Sequence, residues 1–314
     1  MTSRFGDALD TLDSTVPEEL REFLRDTGVA WLEAREITAR PWKASKRAFH
    51  VRLVDGRAAK ARLLLDGRSA EDIASLLGEG AASRRCARII HGRGRCLLEE
   101  WVDGELLRGS TTAQEVLVEC GRALADIHRT PVTRDGIVSA EPASAIDRVR
   151  NDLLALRSAG CLTDSEAAAL MGVLEAATPA PGLQGLVHLD YCLDNIILHA
   201  DRGPVCIDNE TVRIGPFALD IARTITRWPL DGDSRERFLA GYVAAGGPAD
   251  LQDLDFWCLA ADAWSARLRL EYGNTAIEPQ LAALRRRIEA RPLSTEGSPR
   301  MRSGRVSPSG SSGL

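Results

Sequence analysis

Residues 188–195 read His-Leu-Asp-Tyr-Cys-Leu-Asp-Asn, and residues 205–210 follow as Val-Cys-Ile-Asp-Asn-Glu. The first stretch has the form H-x-D-x-x-x-x-N, and the second is a short apolar strand pattern that ends in an acid. The carboxylate of Asp190 is suited to orient a hydroxyl group and accept its proton. Asn195 and Asp208 supply the side-chain oxygens that Mg²⁺ prefers. The pattern therefore predicts a site where a hydroxyl group meets a magnesium-bound phosphate chain.

The composition and charge limit the classes of function. The chain has 314 residues, of which 44% are hydrophobic and 27% charged, as in globular proteins. The net charge of −5 argues against a nucleic-acid partner, and no apolar run is long enough to span a membrane. The N-terminal residues lack a signal-peptide core, and the seven cysteines contain no C-x-x-C pair. We therefore expect reduced thiols and a cytoplasmic location.

The first third of the chain predicts a small sheet with one inserted helix. Alternating residues 49–54 and 58–65 flank the Asp55-Gly56 turn, which is typical of a hairpin. Residues 69–80 predict a helix with Ser69 as its N-cap, and two more strands follow within residues 88–102. We assign residues 30–103 to an N-terminal lobe, preceded by a helical extension over residues 1–29.

The remainder of the chain is predicted to be mainly helical. Apolar spacing close to the helical period predicts helices over residues 111–128, 146–159, 165–177, 234–245, 251–272 and 279–290. We assign residues 104–291 to a C-terminal lobe and residues 292–314, rich in Ser, Gly, Arg and Pro, to a disordered tail. The fold class is therefore α+β with two lobes, and ligands favour the cleft between lobes.

These motifs together resemble the aminoglycoside phosphotransferase and choline kinase superfamily over residues 30–290. The strongest similarity is between residues 187–198 and the H-G-D-x-x-x-x-N loop of that superfamily, although Leu189 replaces its glycine. A hairpin lysine, a Leu-Glu-Glu-Trp-Val-Asp-Gly segment, a helix ending in Leu-Ala-Asp-Ile-His and an Ile-Asp-x-Glu strand end occur in the same order. The resemblance implies a protein-kinase-like fold and transfer of the γ-phosphoryl group of ATP, with Mg²⁺, to a hydroxyl of a small molecule.

The resemblance also implies roles for residues of the C-terminal lobe. Asp190 is the expected catalytic residue, and Asn195 and Asp208 are the expected metal ligands. Glu210 either holds a second metal or forms a surface salt bridge. Two further residues are expected to be structural. His188 is expected to brace the catalytic loop, and Asp220 to cap the backbone amides of that loop.

The nucleotide site is expected in the N-terminal lobe. Lys60 resembles the strand lysine that pairs with the ATP phosphates, unless it is a sheet-surface lysine. Its expected helix partner is Glu71, with Asp72 and Glu79 as alternatives. The segment 40–47 contains no glycine, so Ser45 and nearby amides are expected to cover the phosphates. The backbone of a hinge that includes Glu100 and Val102 is expected to pair with adenine.

Several interpretations remain open from the sequence. The acceptor is a cationic antibiotic, such as an aminoglycoside or basic peptide, or a metabolite of the choline, homoserine, methylthio-sugar or fructosamine type. Acids of the second lobe either form an anionic acceptor pocket or are ordinary helix-face charges: Asp231, Asp233, Asp250, Asp253, Asp255, Asp262 and Glu271. A non-catalytic kinase-like module is an alternative function. A protein kinase is disfavoured because D-F-G and A-P-E motifs are missing. A zinc site built from His188, Asp190 and His199 is also disfavoured, because their spacing resembles no compact zinc site. The choice between ATP and GTP and the oligomeric state stay open.

Overall fold

The computed structural model describes residues 16–38, 47–65, 67–78, 80–109, 114–132, 142–176, 182–228, 230–251, 253–273 and 276–290. Some predictions fall outside these ranges. They are the phosphate-covering role of Ser45, the alternative acid Glu79, and the terminal segments 1–15 and 292–314.

The N-terminal lobe is an antiparallel sheet of five strands in the order β1-β2-β3-β5-β4. Its strands are β1 (Trp31–Glu36), β2 (Ala48–Leu53), β3 (Ala58–Leu63), β4 (Ile89–Arg93) and β5 (Cys96–Glu100). Helix α1 (Glu18–Asp26) precedes the sheet, and α2 (Ala70–Leu77) and α3 (Ala82–Arg85) connect β3 to β4.

Local sequence signals account for this lobe. Gly56 has the positive φ of 84° that the predicted turn between β2 and β3 requires. The hydroxyl of Ser69 accepts a hydrogen bond from the Asp72 amide at 3.1 Å, which confirms the predicted N-cap of α2. Helix α1 buries Leu20 and Phe23 in the same apolar cluster as the sheet residues, so α1 is part of the lobe core.

The C-terminal lobe contains the helices α4 (Gln114–His128), α5 (Pro142–Ser158), α6 (Asp164–Ala176), α7 (Phe217–Arg227), α8 (Gly232–Ala244), α9 (Leu254–Glu271) and α10 (Glu278–Glu289). Helix α7 is absent from the sequence prediction, which expects short strands and loops before residue 234. It follows a strand directly at Pro216, without a side-chain cap, and contains β-branched residues of low helix propensity. Burial of one face against α9 stabilises it instead.

Short strands at the base of the cleft carry the predicted motifs. They are β6 (Glu105–Leu106), β7 (Gln184–Val187), β8 (Ile196–His199), β9 (Gly203–Cys206) and β10 (Arg213–Pro216). β7 pairs with β10, and β8 pairs with both β6 and β9. The Ile207 amide donates to the Asn195 carbonyl at 2.7 Å. The loop 188–195 and the acidic segment 208–210 are therefore neighbours.

The predicted two-lobed α+β architecture is confirmed. A second apolar cluster joins α2 of the first lobe to α4 of the second, and it includes Tyr191 and Cys192 of the motif loop. The seven cysteines form no disulfide, and six of them are buried. Within the described ranges, no helix has both the length and the hydrophobicity to cross a bilayer.

Candidate active site

The backbone of the loop 188–195 is fixed by one buried carboxylate. Asp220, near the start of α7, accepts from the His188 amide at 2.7 Å and from the Leu189 amide at 2.8 Å. Leu189 itself has a φ of 61°, in the left-handed region that favours glycine. Its side chain is buried in the apolar core of the second lobe. The left-handed turn after His188 is therefore made by a leucine that is held in place by its packing.

Asp220 is in turn held by a histidine from α4. His128 Nε2 lies 3.1 Å from a carboxylate oxygen of Asp220, and its Nδ1 lies 2.8 Å from the Tyr242 hydroxyl. Burial raises the pKa of Asp220, but the interactions with His128 and His188 together outweigh burial and lower the pKa overall. Asp220 therefore stays ionised and organises the loop, in the arrangement that the resemblance implies.

His188 is completely buried below the loop. Its Nδ1 accepts from the Asp190 amide at 3.3 Å, and its carbonyl oxygen accepts from the Thr211 hydroxyl at 2.7 Å. Its Nε2 has no hydrogen-bond partner among the described residues. The zinc interpretation finds no support, because His199 uses its Nδ1 to accept the Asp201 amide within its own turn.

The two carboxylate oxygens of Asp190 face different groups. Oδ2 accepts from Asn195 Nδ2 at 2.6 Å. Oδ1 accepts from Arg227, and Arg223 Nη2 lies 3.7 Å from the same oxygen. Burial raises the pKa of Asp190, but the two arginines outweigh it and lower the pKa overall. Asp190 is thus an ionised, oriented hydrogen-bond acceptor.

Two acids follow β9 and meet cations from β3. Asp208 is in a left-handed conformation with a φ of 72°, which turns the chain into a short 3-10 helix at residues 209–211. Lys60 Nζ lies 3.5 Å from Asp208 Oδ1. Arg62 contacts the same oxygen and lies 3.3 Å from Glu210 Oε2. The predicted residues Lys60, Asp208 and Glu210 are therefore brought together, with an arginine among them.

Arg62 is a site residue that the sequence analysis missed. It lies two positions after Lys60 on β3, and the two side chains share a face of the strand. Burial alone would lower the pKa of Arg62, but Asp208, Glu99 and Glu210 together raise it above its usual value. The signal available in the sequence was the alternation Lys-Ala-Arg, which places two cations on one face.

Among the described residues of the first lobe, the acid that lies next to Arg62 comes from the sheet. Glu99 is opposite Lys60 in the pairing of β3 with β5, and its Oε2 lies 3.4 Å from Arg62 Nε. The expected partner Glu71 instead accepts from the Gly94 amide at 2.7 Å and from the Ser69 hydroxyl. The prediction that Glu71 pairs with Lys60 is therefore wrong, because the first turn of α2 points its acid at the β4–β5 turn.

The oxygen donors around Asp208 suit a hard cation. Asn195 directs its Nδ2 to Asp190, donating to the carboxylate and, at 2.9 Å, to the carbonyl oxygen. Its Oδ1 is therefore turned away from Asp190. No cluster of three or more His, Cys or acidic side chains suited to a metal occurs in the described part of the chain. The available set is one amide and two carboxylates, from Asn195, Asp208 and Glu210, which fits Mg²⁺ rather than Zn²⁺.

The segment that leaves β5 runs along an apolar surface. Val102 is buried in a cluster with Ala87 and Val205, against which Ile197 and Ile207 pack while remaining partly exposed. The side chain of Glu100 is held outside this surface by Arg88 Nε at 2.7 Å and Arg202 Nη1 at 2.6 Å. The hinge predicted from sequence therefore lies beside an apolar floor.

Three of the acids of the second lobe have partners on the same helix or on a neighbouring helix. Asp231 caps α8 through the Ser234 amide at 2.8 Å. Asp262 pairs with Arg287 at 2.9 Å, and Glu271 pairs with Arg267. These contacts favour the helix-face interpretation over an anionic pocket.

Comparisons with known proteins identify the fold and the family of the chain. No curated protein matches the sequence. The fold is similar to solved structures of a macrolide 2'-phosphotransferase type I (19% identity, 86% of this chain and 95% of the other, TM-score 0.59) and of choline kinase from Cryptosporidium parvum (13%, 91% and 95%, 0.59). It is also similar to choline kinase LicA from Streptococcus pneumoniae, with 12% identity and a TM-score of 0.62 over 85% of this chain and 98% of the other. A model of the phosphotransferase enzyme family matches residues 36–257, and the chain therefore belongs to that family.

Proposed function

We propose that this phosphotransferase moves the γ-phosphoryl group of ATP to a hydroxyl of a small molecule at Asp190. The observation that carries the proposal is the position of an ionised, oriented Asp190 beside Asn195, which adjoins Asp208. The solved structures of similar fold are named as macrolide phosphotransferase and choline kinases, and these names support a small hydroxyl-bearing acceptor.

In the proposed reaction, the acceptor hydroxyl donates a hydrogen bond to Asp190. Its oxygen forms a bond to the γ-phosphorus while the bond from that phosphorus to the bridging oxygen breaks, and ADP leaves. The hydroxyl proton passes to the Asp190 carboxylate. A carboxylate of low pKa is sufficient, because in a loose transition state the proton leaves late and positioning dominates.

Asn195, Asp208 and Glu210 would hold Mg²⁺, which supplies positive charge against the phosphate oxygens. Lys60 and Arg62 are proposed to contact the phosphates from β3, since both cations already lie at Asp208. The backbone at Glu100 and Val102 is proposed to pair with adenine over the apolar floor of the cleft. A nucleotide in a similar fold is supported by the AMP-bound spectinomycin phosphotransferase structure (13% identity, TM-score 0.57).

The test is release of ADP from ATP by the purified chain with Mg²⁺, alone and with a panel of alcohols. We expect slow hydrolysis alone and faster turnover with an acceptor. Asp190→Asn should lower the acceptor-dependent rate about 10²–10⁴-fold, as expected for loss of a positioned base. Asp201→Asn, an exposed acid in the turn between β8 and β9, is the matched control and should keep full activity.

Two results would reject the proposal. One is absence of both ATP binding and ATP hydrolysis in a folded sample. The other is an acceptor-dependent rate that is the same in Asp190→Asn as in the native chain. Phosphoryl transfer to any acceptor would exclude the alternative of a non-catalytic binding module.

A further inference from the structure

One side of Asp190 is lined by arginines. Arg223 and Arg227 lie one turn apart on α7, and both face Oδ1 of Asp190. The opposite oxygen is held by Asn195, on the side of the proposed metal. The two arginines therefore occupy the side of the carboxylate from which an acceptor would approach.

The positive charge extends beyond these two residues. The guanidinium of Arg223 lies 3.8 Å from the centre of the Trp264 ring, and that of Arg213 lies 5.5 Å from it. Burial lowers the pKa of Arg213 to about 10, and the neighbouring Arg148 adds to this effect. Burial lowers the pKa of Arg223 to about 10, with a further contribution from Arg227. Cations gathered this closely disfavour one another unless an anion joins them.

The acids near this group do not satisfy it. Asp190 and Asp220 are the carboxylates that act on Arg223, and Asp220 is already committed to the loop amides and His128. Arg223 is about 5% exposed and uses its Nε to donate to the Leu189 carbonyl at 2.5 Å. Its Nη1 is buried and has no hydrogen-bond partner among the described residues. A buried guanidinium donor without a partner indicates a place for an acceptor oxygen.

Arg227 has a different position in the group. Its side chain is 27% exposed, and it contacts both Asp190 and, at 3.3 Å, Cys192 Sγ. A hydroxyl that donates to Oδ1 of Asp190 must share or replace the contact with Arg227. An anionic group on the acceptor would pair with Arg227 and Arg223 when the acceptor hydroxyl binds Asp190. A cationic group there would be repelled by both.

We propose that the acceptor is an anionic alcohol, in which a carboxylate or phosphate group binds Arg223 and Arg227 and places a nearby hydroxyl at Asp190. Planar guanidinium groups suit both anions because they donate in pairs. This inference rests on the proposed function and narrows its substrate class. It favours an acidic metabolite over a cationic antibiotic or choline-like amine.

The experiment compares four compounds that share a glycerol-like scaffold and differ in charge. The full chain with ATP and Mg²⁺ is assayed for ADP release against glycerate, glycerol 3-phosphate, glycerol and 3-amino-1,2-propanediol. We expect glycerate or glycerol 3-phosphate to change ADP release saturably. Phosphoryl transfer to the compound would raise ADP release, and displacement of the hydrolytic water by the compound would lower it. Glycerol and the amine should have no saturable effect. The two anionic compounds distinguish a carboxylate site from a phosphate site.

Variants then assign the effect to the arginines. Arg227→Gln and Arg223→Gln should raise the KM for the active anion at least about tenfold, whereas Arg227→Lys should retain part of the affinity. Arg227 is partly exposed, so its variant keeps the test valid if Arg223→Gln fails to fold. Arg235→Gln removes an exposed arginine of α8 and is the control of equal charge change.

The outcomes are separable. Failure of both anions to change ADP release overturns the inference but not the proposed function, provided that ATP is hydrolysed. The inference is also overturned if the amine changes ADP release saturably, or if the effect of the anion persists unchanged in Arg227→Gln. Absence of any ATP hydrolysis rejects the proposed function itself and this inference with it.

Discussion

Substitutions at Leu189 test the loop geometry. The left-handed backbone at this position predicts that the glycine variant is more stable than the alanine variant, which reverses their usual order. At φ 61° a residue with a Cβ carries a cost of about 1–2 kcal/mol that glycine avoids. Elsewhere glycine is the worse choice by about 0.5–1 kcal/mol relative to alanine. We therefore expect Leu189→Gly to be about 1 kcal/mol more stable than Leu189→Ala.

Both variants should be less stable than the native chain. Leu189 is 1% exposed and packs in the core with Val187 and Leu219, so its truncation leaves a cavity. Such truncations cost about 2.7–5 kcal/mol. Removal of the left-handed strain in Leu189→Gly offsets part of this loss.

The measurement is urea unfolding at 25 °C, followed by tryptophan fluorescence and by circular dichroism. Coincident transitions and equal m-values are required before the free energies are compared. The control is Leu124, fully buried inside α4, where Leu124→Ala should be about 1 kcal/mol more stable than Leu124→Gly. If alanine equals or exceeds glycine in stability at position 189, the left-handed geometry of the loop 188–195 is refuted.

Two further predictions concern buried charges. Arg62→Met should cost about 3–5 kcal/mol in thermal or urea unfolding, because Asp208 and Glu210 lose their buried cation partner. Millimolar Mg²⁺ should restore part of that stability, and an equal loss with and without Mg²⁺ would contradict a metal role for these acids. Asp152 has a pKa raised by burial to about 6, despite Arg267 at 3.4 Å. Because its folded pKa is above the unfolded value of 3.8, ionisation costs stability as the pH rises from about 4 to 6. Asp152→Asn should therefore match the native chain near pH 4 and exceed it by up to about 3 kcal/mol near pH 8, and an unchanged difference across this range would contradict the assignment.

Features with a local cause were predictable from the sequence. The turn at Gly56 needs only its own backbone freedom, and the cap at Ser69 needs only the next turn of helix. The H-x-D-x-x-x-x-N spacing likewise brings Asp190 and Asn195 together within one loop. Helix α7 lacked such a signal, since its N-terminus has no capping side chain and its stability comes from packing.

Features that depend on pairing between distant segments were not predictable. The importance of Arg62 and Glu99 follows from the register of β3 against β5, which places Glu99 opposite Lys60. A shift of this register by one residue would turn Glu99 to the other face of the sheet. The same limit explains the wrong partner assigned to Lys60. Glu71 has the right position in the chain, but the orientation of α2 directs it to Gly94.

The charges at the site link the two lobes. Arg62 belongs to the sheet of the first lobe, and its partners Asp208 and Glu210 belong to the second. Asn209, between those acids, donates to Glu99 at 2.7 Å and to the Ala87 carbonyl at 2.9 Å. The segment 208–210 is therefore fixed to the first lobe by both charge and hydrogen bonds. A cation held by Asp208 and Glu210, as proposed, would compete with Arg62 for these two carboxylates. Occupation of the proposed metal site would then weaken a contact between the lobes, so we expect metal binding and cleft geometry to be coupled through Arg62.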